Sequence, residues 1–148
     1  MNRRQIQLGF VLILIALGTG FFQPFYRSPR LGLAAHTVGI TGGLVLIAIG
    51  ALADKFALGT RAAKVMMACW LYTAYVNWLA SIIAAITGAS RLTPIAGAGT
   101  TASPFAENVV AFLLQSLAVT SIVGTAIAVF GFRRKRAAAV TAPVTEPV

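Results

Sequence analysis

One imidazole stands in a chain whose apolar stretches hold almost no other ionisable group. His36 lies in residues 31–43, LGLAAHTVGITGG, and the apolar run continues to Leu52 without a charged side chain. An ionisable group is expensive to keep in a bilayer, so it needs a partner or a task. A histidine here can pair structurally with a neighbouring helix, carry a proton alone, or ligate haem iron. Haem needs only one protein nitrogen when its other axial position is kept for substrate. The residue types leave all three roles open. On a helix, His36, Gly39, Gly43 and Gly50 share one face. Gly39 and Gly43 form a small-xxx-small pair, which admits either a second backbone or a flat ligand. Thr37 and Thr41 add hydroxyls to the same run.

A second polar set lies in residues 64–87. Thr73, Asn77 and Ser81 are spaced i, i+4, i+8 and form one stripe, with Tyr72, Tyr75 and Trp78 around them. An amide such as that of Asn77 is costly in lipid unless it is paired, and a bond to a neighbouring helix would pair it. Ser116, Thr120 and Gly124 make a third small polar face. Its hydroxyls can bond the preceding turn of their own helix, so it carries less information.

The usual catalytic sets are missing. The three acidic residues are Asp54, Glu107 and Glu146, none of them in the middle of an apolar run. Two-carboxylate acid–base chemistry is thereby excluded from the membrane. A single histidine and a single cysteine, Cys69, cannot make a zinc site or an intrachain disulfide. No carboxylate accompanies the histidine for a Ser-His-Asp triad. GAGTTAS, at 97–103, follows no strand pattern and is not a phosphate loop.

The elements that must position these residues are membrane helices. The chain is 58% hydrophobic and 10% charged over 148 residues, with a mean hydropathy of +0.85. Four apolar runs, 6–22, 33–53, 64–87 and 106–132, are each long enough to cross a hydrocarbon core of roughly 30 Å. The first run lacks a cleavage site and reads as a retained helix. Nine of the twelve basic residues lie before the first run, between the second and third, and after the fourth. Arg27, Arg30 and Arg91 lie in the other two connections. That asymmetry predicts an all-α, four-helix transmembrane bundle with both termini cytoplasmic. The net charge of +9 is therefore assigned to topology and the lipid bilayer, with no nucleic acid as partner. The short connection at 54–60 predicts adjacent, antiparallel second and third helices. Ser103 and Pro104 predict the start of the fourth, and Glu107 complements its dipole. The reading is one domain, 1–136, and a disordered tail, 137–148. His36 is expected within about a turn of the outer helix end, and Asn77 in the same half of the membrane. One site shared by the second and third helices, covered by the loop TPIAGAG, would follow.

Three segments, SPRLGLAAHTVG, LYTAYVNWLA and LTPIAGAG, in this order and spacing, resemble the small membrane hydroxylaminobenzene mutases. That resemblance covers about residues 10–132. It implies an intramolecular transferase that converts an aryl hydroxylamine to an aminophenol without net redox change. More distantly, the chain is similar to styrene oxide isomerase, a four-helix membrane protein that assembles as a trimer with haem b between subunits. Its haem-binding AH motif matches Ala35-His36, and its helix-three Asn matches Asn77. Three positions depart from it: Gly42 stands where it has Asn, Thr73 where it has Asp, and Ser81 where it has Tyr. The haem histidine thus carries over while the epoxide-positioning set does not.

The resemblance therefore implies haem b with His36 as axial ligand of the iron. Gly39, Gly43 and Arg30 would complete the cofactor site. Asn77, Thr73 and Tyr75 would act on a small aromatic substrate, within a pocket of Trp78, Ser81 and Thr41. A homotrimer in a bacterial inner membrane is expected. The alternatives are an epoxide isomerase and a non-catalytic haem-binding protein. A small multidrug transporter ranks last, because it would want a carboxylate within the membrane.

Overall fold

The computed structural model describes residues 1–140. Its long helices are α1 (Arg3–Phe21), α2 (Pro29–Ala51), α3 (Thr60–Thr87) and α5 (Pro104–Val140), with a single-turn α4 (Pro94–Gly97) in the loop between α3 and α5. Short 3₁₀ turns, Gln23–Phe25 and Ala53–Lys55, lie in the first two connections. There are no strands among the described residues. Four helices are long and apolar enough to cross a membrane. The last eight residues of the expected tail, 141–148, lie outside the described residues.

Local chemistry moves the helix starts outward from where hydropathy alone puts them. Asn2 caps α1 by accepting from the Gln5 N–H at 3.2 Å, so the helix takes in Arg3 and Arg4. Pro29 occupies the first turn of α2, where its missing N–H does no harm. His36 is therefore about 10 Å inside α2, nearly two turns rather than one. Ser103 does cap α5, accepting from the Ala106 N–H at 3.3 Å.

The helices pack in the order α1, α2, α3, α5, each antiparallel to the next, as an open row rather than a closed four-sided bundle. The α1–α2 seam is the tightest. A Cβ on Gly43 would lie 2.6 Å from the Gly9 carbonyl oxygen, and one on Gly9 2.6 Å from the Gly43 carbonyl oxygen. A Cβ on Gly39 would meet the Ala16 methyl at 2.5 Å. Only glycine allows two backbones this close. Leu12 of α1, Leu46 of α2 and Ala74 of α3 form one buried cluster, flanked by Trp70, Leu71, Tyr75 and Trp78 of α3. The α3–α5 seam is held by hydroxyl pairs, Tyr72 Oη with Ser116 Oγ at 2.8 Å and Thr73 Oγ1 with Thr120 Oγ1 at 2.9 Å.

At the other end of α5, the Ala57 N–H donates to the Gly131 carbonyl and the Phe56 and Phe132 rings meet edge to face at 4.5 Å. The open row leaves apolar faces uncovered, including Phe10, Leu14 and Leu17 on α1 and Phe112, Val119 and Ile122 on α5. Such faces suit lipid or another copy of the chain.

The loop between α3 and α5 is organised by Glu107. Its carboxylate accepts from the backbone N–H groups of Ser90 at 3.1 Å, Arg91 at 3.0 Å and Ala102 at 3.3 Å. The side chain expected to serve the α5 dipole thus also ties both ends of the loop. The loop carries Ala98 and Gly99 at positive φ, 49° and 84°. Ala96 of α4 packs on the buried cluster of Leu31, Ala84, Ala85, Ala89 and Val110.

Candidate functional site

His36 is half-buried, and its Nδ1 lies 2.8 Å from the Ala16 carbonyl oxygen. A carbonyl only accepts, so Nδ1 carries the proton and the Nε2 lone pair of the neutral ring is left for another partner. Metal-ligating histidines are commonly oriented this way, with the far nitrogen donating to a backbone oxygen. The ring lines an open groove of about 510 Å³ between α1 and α2, whose walls include Leu17, Phe21 and Leu33. Gly20 gives the ring room, since a Cβ there would lie 3.0 Å from Nδ1. No cluster of three or more His, Cys, Asp or Glu side chains able to hold a bare metal ion occurs among the described residues. A metal here would have to bring most of its own ligands.

Asn77 lies on another cavity. That space, about 190 Å³ and open on one side, lies between α2 and α3 and is lined by Val38, Thr41, Gly42, Trp70, Thr73 and Asn77, with Val45 and Ala74. Among the described residues the Asn77 amide has no hydrogen-bond partner. Thr73 is buried, and its partner Thr120 donates to the backbone of its own helix. The Thr73 proton therefore goes to Thr120 Oγ1, and Thr73 offers only lone pairs to a guest. Thr41 donates to the Thr37 carbonyl and is also left as an acceptor. The wall thus holds one free amide and two hydroxyl acceptors in an apolar setting.

The two sites are on opposite faces of α2. At about 100° per residue, Val38, Thr41, Gly42 and Val45 lie roughly 150° round the helix from His36, Gly39 and Gly43. The single shared site read from the sequence is thus two cavities within one chain. Gly39 and Gly43 do not flank an open slot; α1 fills the space beside them. The expected cover fails too, because no residue of the 88–103 loop lines either cavity.

Tyr75 points away from the Asn77 cavity and donates from Oη to the Leu8 carbonyl at 2.9 Å, joining α3 to α1. Trp78 packs against Gly39, and its Nε1 is buried without a partner. Ser81 is half-buried and lines neither cavity. Arg30 is exposed in the first turn of α2, about 9 Å along the axis from His36. Trp70 was missed. It stands three residues before Thr73 and seven before Asn77, so helical spacing put it on the same face. Its Nε1 is also buried and unpartnered.

The described residues thus form four helices able to cross a membrane, with a groove-facing imidazole and a small apolar cavity holding one free amide. The comparisons name the class. A sequence model described as styrene oxide isomerase matches residues 1–133, and the chain belongs to that family. It is 40% identical over 134 residues to hydroxylaminobenzene mutase HabB of Ectopseudomonas oleovorans, covering 90% of this chain and 82% of that one. It is 36% identical over 127 residues to hydroxylaminobenzene mutase HabA of the same organism, covering 85% and 94%. No solved structure matches. The chain is thus an enzyme of the isomerase or mutase kind.

Proposed function

We propose that the chain rearranges an aryl hydroxylamine such as hydroxylaminobenzene to an aminophenol, moving oxygen from nitrogen to the ring within one molecule. Breaking N–O, forming ring C–O and shifting one ring proton to nitrogen leaves composition and redox state unchanged. The observation that carries this reading is the unpartnered Asn77 amide in a cavity of aromatic size, in a chain 40% identical to a hydroxylaminobenzene mutase. Asn77 Nδ2 donates to the hydroxyl oxygen and Oδ1 accepts from the substrate N–H. The Thr73 and Thr41 oxygens accept from the same polar head, and Trp70 lies along the ring. No carboxylate lines the cavity. These groups therefore orient the substrate and keep water out rather than take a proton as strong bases.

His36 fits haem b. Its Nε2 lone pair faces an apolar groove, its Nδ1–H is fixed by Ala16, and Arg30 is close enough to meet a propionate. Ferric haem held there would supply a Lewis acid for the N–OH oxygen. Because His36 and Asn77 face opposite ways in one chain, the reading requires copies side by side, His36 of one near the Asn77 cavity of the next. A homotrimer in a bacterial inner membrane, with both termini cytoplasmic, meets that requirement and leaves the basic ends on the cytoplasmic side.

The test is turnover of hydroxylaminobenzene to 2-aminophenol by membranes containing the protein, run in ¹⁸O-water. The expected product carries no ¹⁸O, and N77A and H36A lose activity. H36A also loses the Soret band expected of the purified wild type. Absence of turnover with hydroxylamines would overturn the reading. Turnover of styrene oxide in its place would favour epoxide isomerisation, the second reading, which the family match supports. Gly42, Thr73 and Ser81, the three departures, weigh against it.

A further inference from the structure

At the end of the helix row away from His36, α1 and α3 part to leave a groove. Gln5 donates from Nε2 to the Met67 carbonyl at 3.3 Å and sets the spacing of the two helices. A cavity of about 250 Å³ between Arg4, Leu8 and Leu71 adjoins one of about 320 Å³ beside Thr60 and Lys64. Asn2 and Met67 line both, so the two form one trough.

Its polarity is graded. Arg4 and Lys64 are exposed at the mouth, and neither pairs with a carboxylate among the described residues. Asp54, the one acid at this end among the described residues, faces the Met1 ammonium at 3.6 Å. Asn2 uses Oδ1 to accept from the Gln5 N–H, which leaves its Nδ2 as a donor. Leu8 and Leu71 lie about 6 and 10 Å deeper along their helices than Arg4 and Lys64. Cations and donors at the mouth with an apolar floor complement an anionic amphiphile. A free anion would have no use for the floor, and a neutral lipid none for the two cations.

We propose that this trough is a binding site for an anionic glycerophospholipid. The phosphate sits between Arg4 and Lys64, within reach of Asn2 and Thr60, and one acyl chain runs along Leu8 and Leu71. Arg4 can hold phosphate oxygens two at a time, while Lys64 acts as a point charge.

Native mass spectrometry of the delipidated full chain in neutral detergent tests this, with phosphatidylglycerol, phosphatidylcholine and glycerol 3-phosphate as probes. Phosphatidylglycerol is expected to bind one per chain and to survive mild activation. R4Q/K64Q should weaken it about thirtyfold, from the effect of two basic residues near a membrane surface. R3Q/R61Q, which removes two exposed cations at the same end but outside the trough, should change it less than about threefold. Equal losses in the two double variants would mean a diffuse basic surface and overturn the site. Equal retention of phosphatidylcholine would reduce it to an apolar groove. Competition by glycerol 3-phosphate would make it a soluble-anion site. Lipid displaced by a second copy of the chain on concentration would make the trough a subunit contact. Each of these results overturns the proposal.

Discussion

The two faces of α2 use glycine in opposite ways. On one face Gly39 and Gly43 let α1 come so close that the Ala16 methyl and the Gly9 carbonyl oxygen stand where their side chains would be. On the other, Gly42 faces Ala74 and a space of about 190 Å³ is left beside it. Both faces lie on one helix, separated by about half a turn. The difference lies in the neighbour. α1 answers glycine with glycine, Gly9 against Gly43, so two backbones meet. α3 answers with the small Ala74 beside Trp70, Thr73 and Asn77, and a space is left among them. A glycine-rich stretch therefore says that something approaches closely. Only the facing element says whether that thing is a helix or a guest.

The largest expected effect breaks the closed face. G43V places a branched side chain where even a Cβ would lie 2.6 Å from a backbone oxygen. The loss should exceed about 3 kcal/mol, at or beyond the upper end for overpacking, because a backbone cannot move aside as a side chain can. The check is thermal denaturation in detergent. G42A is its counterpart. There a Cβ would stand 3.2 Å from the Ala74 methyl, tight by a few tenths of an ångström. The gain in helix propensity, about 1 kcal/mol, offsets that crowding. Stability should stay within about 1 kcal/mol while turnover falls as the cavity shrinks. Equal destabilisation by the two would erase the distinction between the faces.

N77L comes next. It replaces an unpartnered amide in an apolar wall by an apolar group of similar size, so stability should hold or rise. Activity should drop about 10- to 100-fold in kcat/KM for hydroxylaminobenzene, the worth of one or two orienting hydrogen bonds. A variant that melts early yet turns over normally would show that Asn77 pairs with a helix and not with substrate.

Much of this was legible without coordinates, for reasons that differ by residue. The four spans announce themselves because lipid forbids charge over a span-length run. The Ser103–Pro104 start of α5 was readable because a cap is local chemistry. The Pro29 start of α2 was equally local, and hydropathy masked it by beginning the run at Leu33. His36 and Asn77 stand out as costly side chains in apolar runs. What could not be read was their separation, because a helical face is fixed by sequence but its partner is not. Trp70 escaped because an aromatic at helical spacing looks the same in a core and in a cavity wall. The Glu107 anchor could not be read either, since its three N–H partners lie 5 to 17 residues away in sequence.

A smaller effect separates the α3–α5 loop from both faces. E107Q keeps one oxygen to accept but loses the charge that strengthens three N–H bonds, so about one bond's worth is lost. Amide hydrogen exchange at Ser90, Arg91 and Ala102 should quicken about tenfold. Turnover should not change, because the loop lines neither cavity. A loss of turnover in step with the exchange would make the loop a lid after all.

The smallest effect concerns Tyr75, which its place in the sequence puts two residues from Asn77 and the structure puts elsewhere. Its Oη donates to the Leu8 carbonyl at 2.9 Å, on the side of α3 that meets α1. Y75F removes one hydrogen bond and keeps the ring that packs around Leu12 and Leu46. The expected loss is about 1 kcal/mol of stability, with the Leu8 carbonyl left unpaired by the tyrosine. Since that oxygen also serves its own helix, the loss should not exceed this. kcat/KM should stay within about twofold of wild type, because no atom of Tyr75 lines the Asn77 cavity. A tenfold fall in kcat/KM at unchanged stability would put the phenol against the substrate and reverse the assignment of faces on α3. An equal, small fall in both would instead mean that α1 must be held in place for the His36 groove to keep its shape, since Ala16, which orients the imidazole, lies two turns along α1 from Leu8.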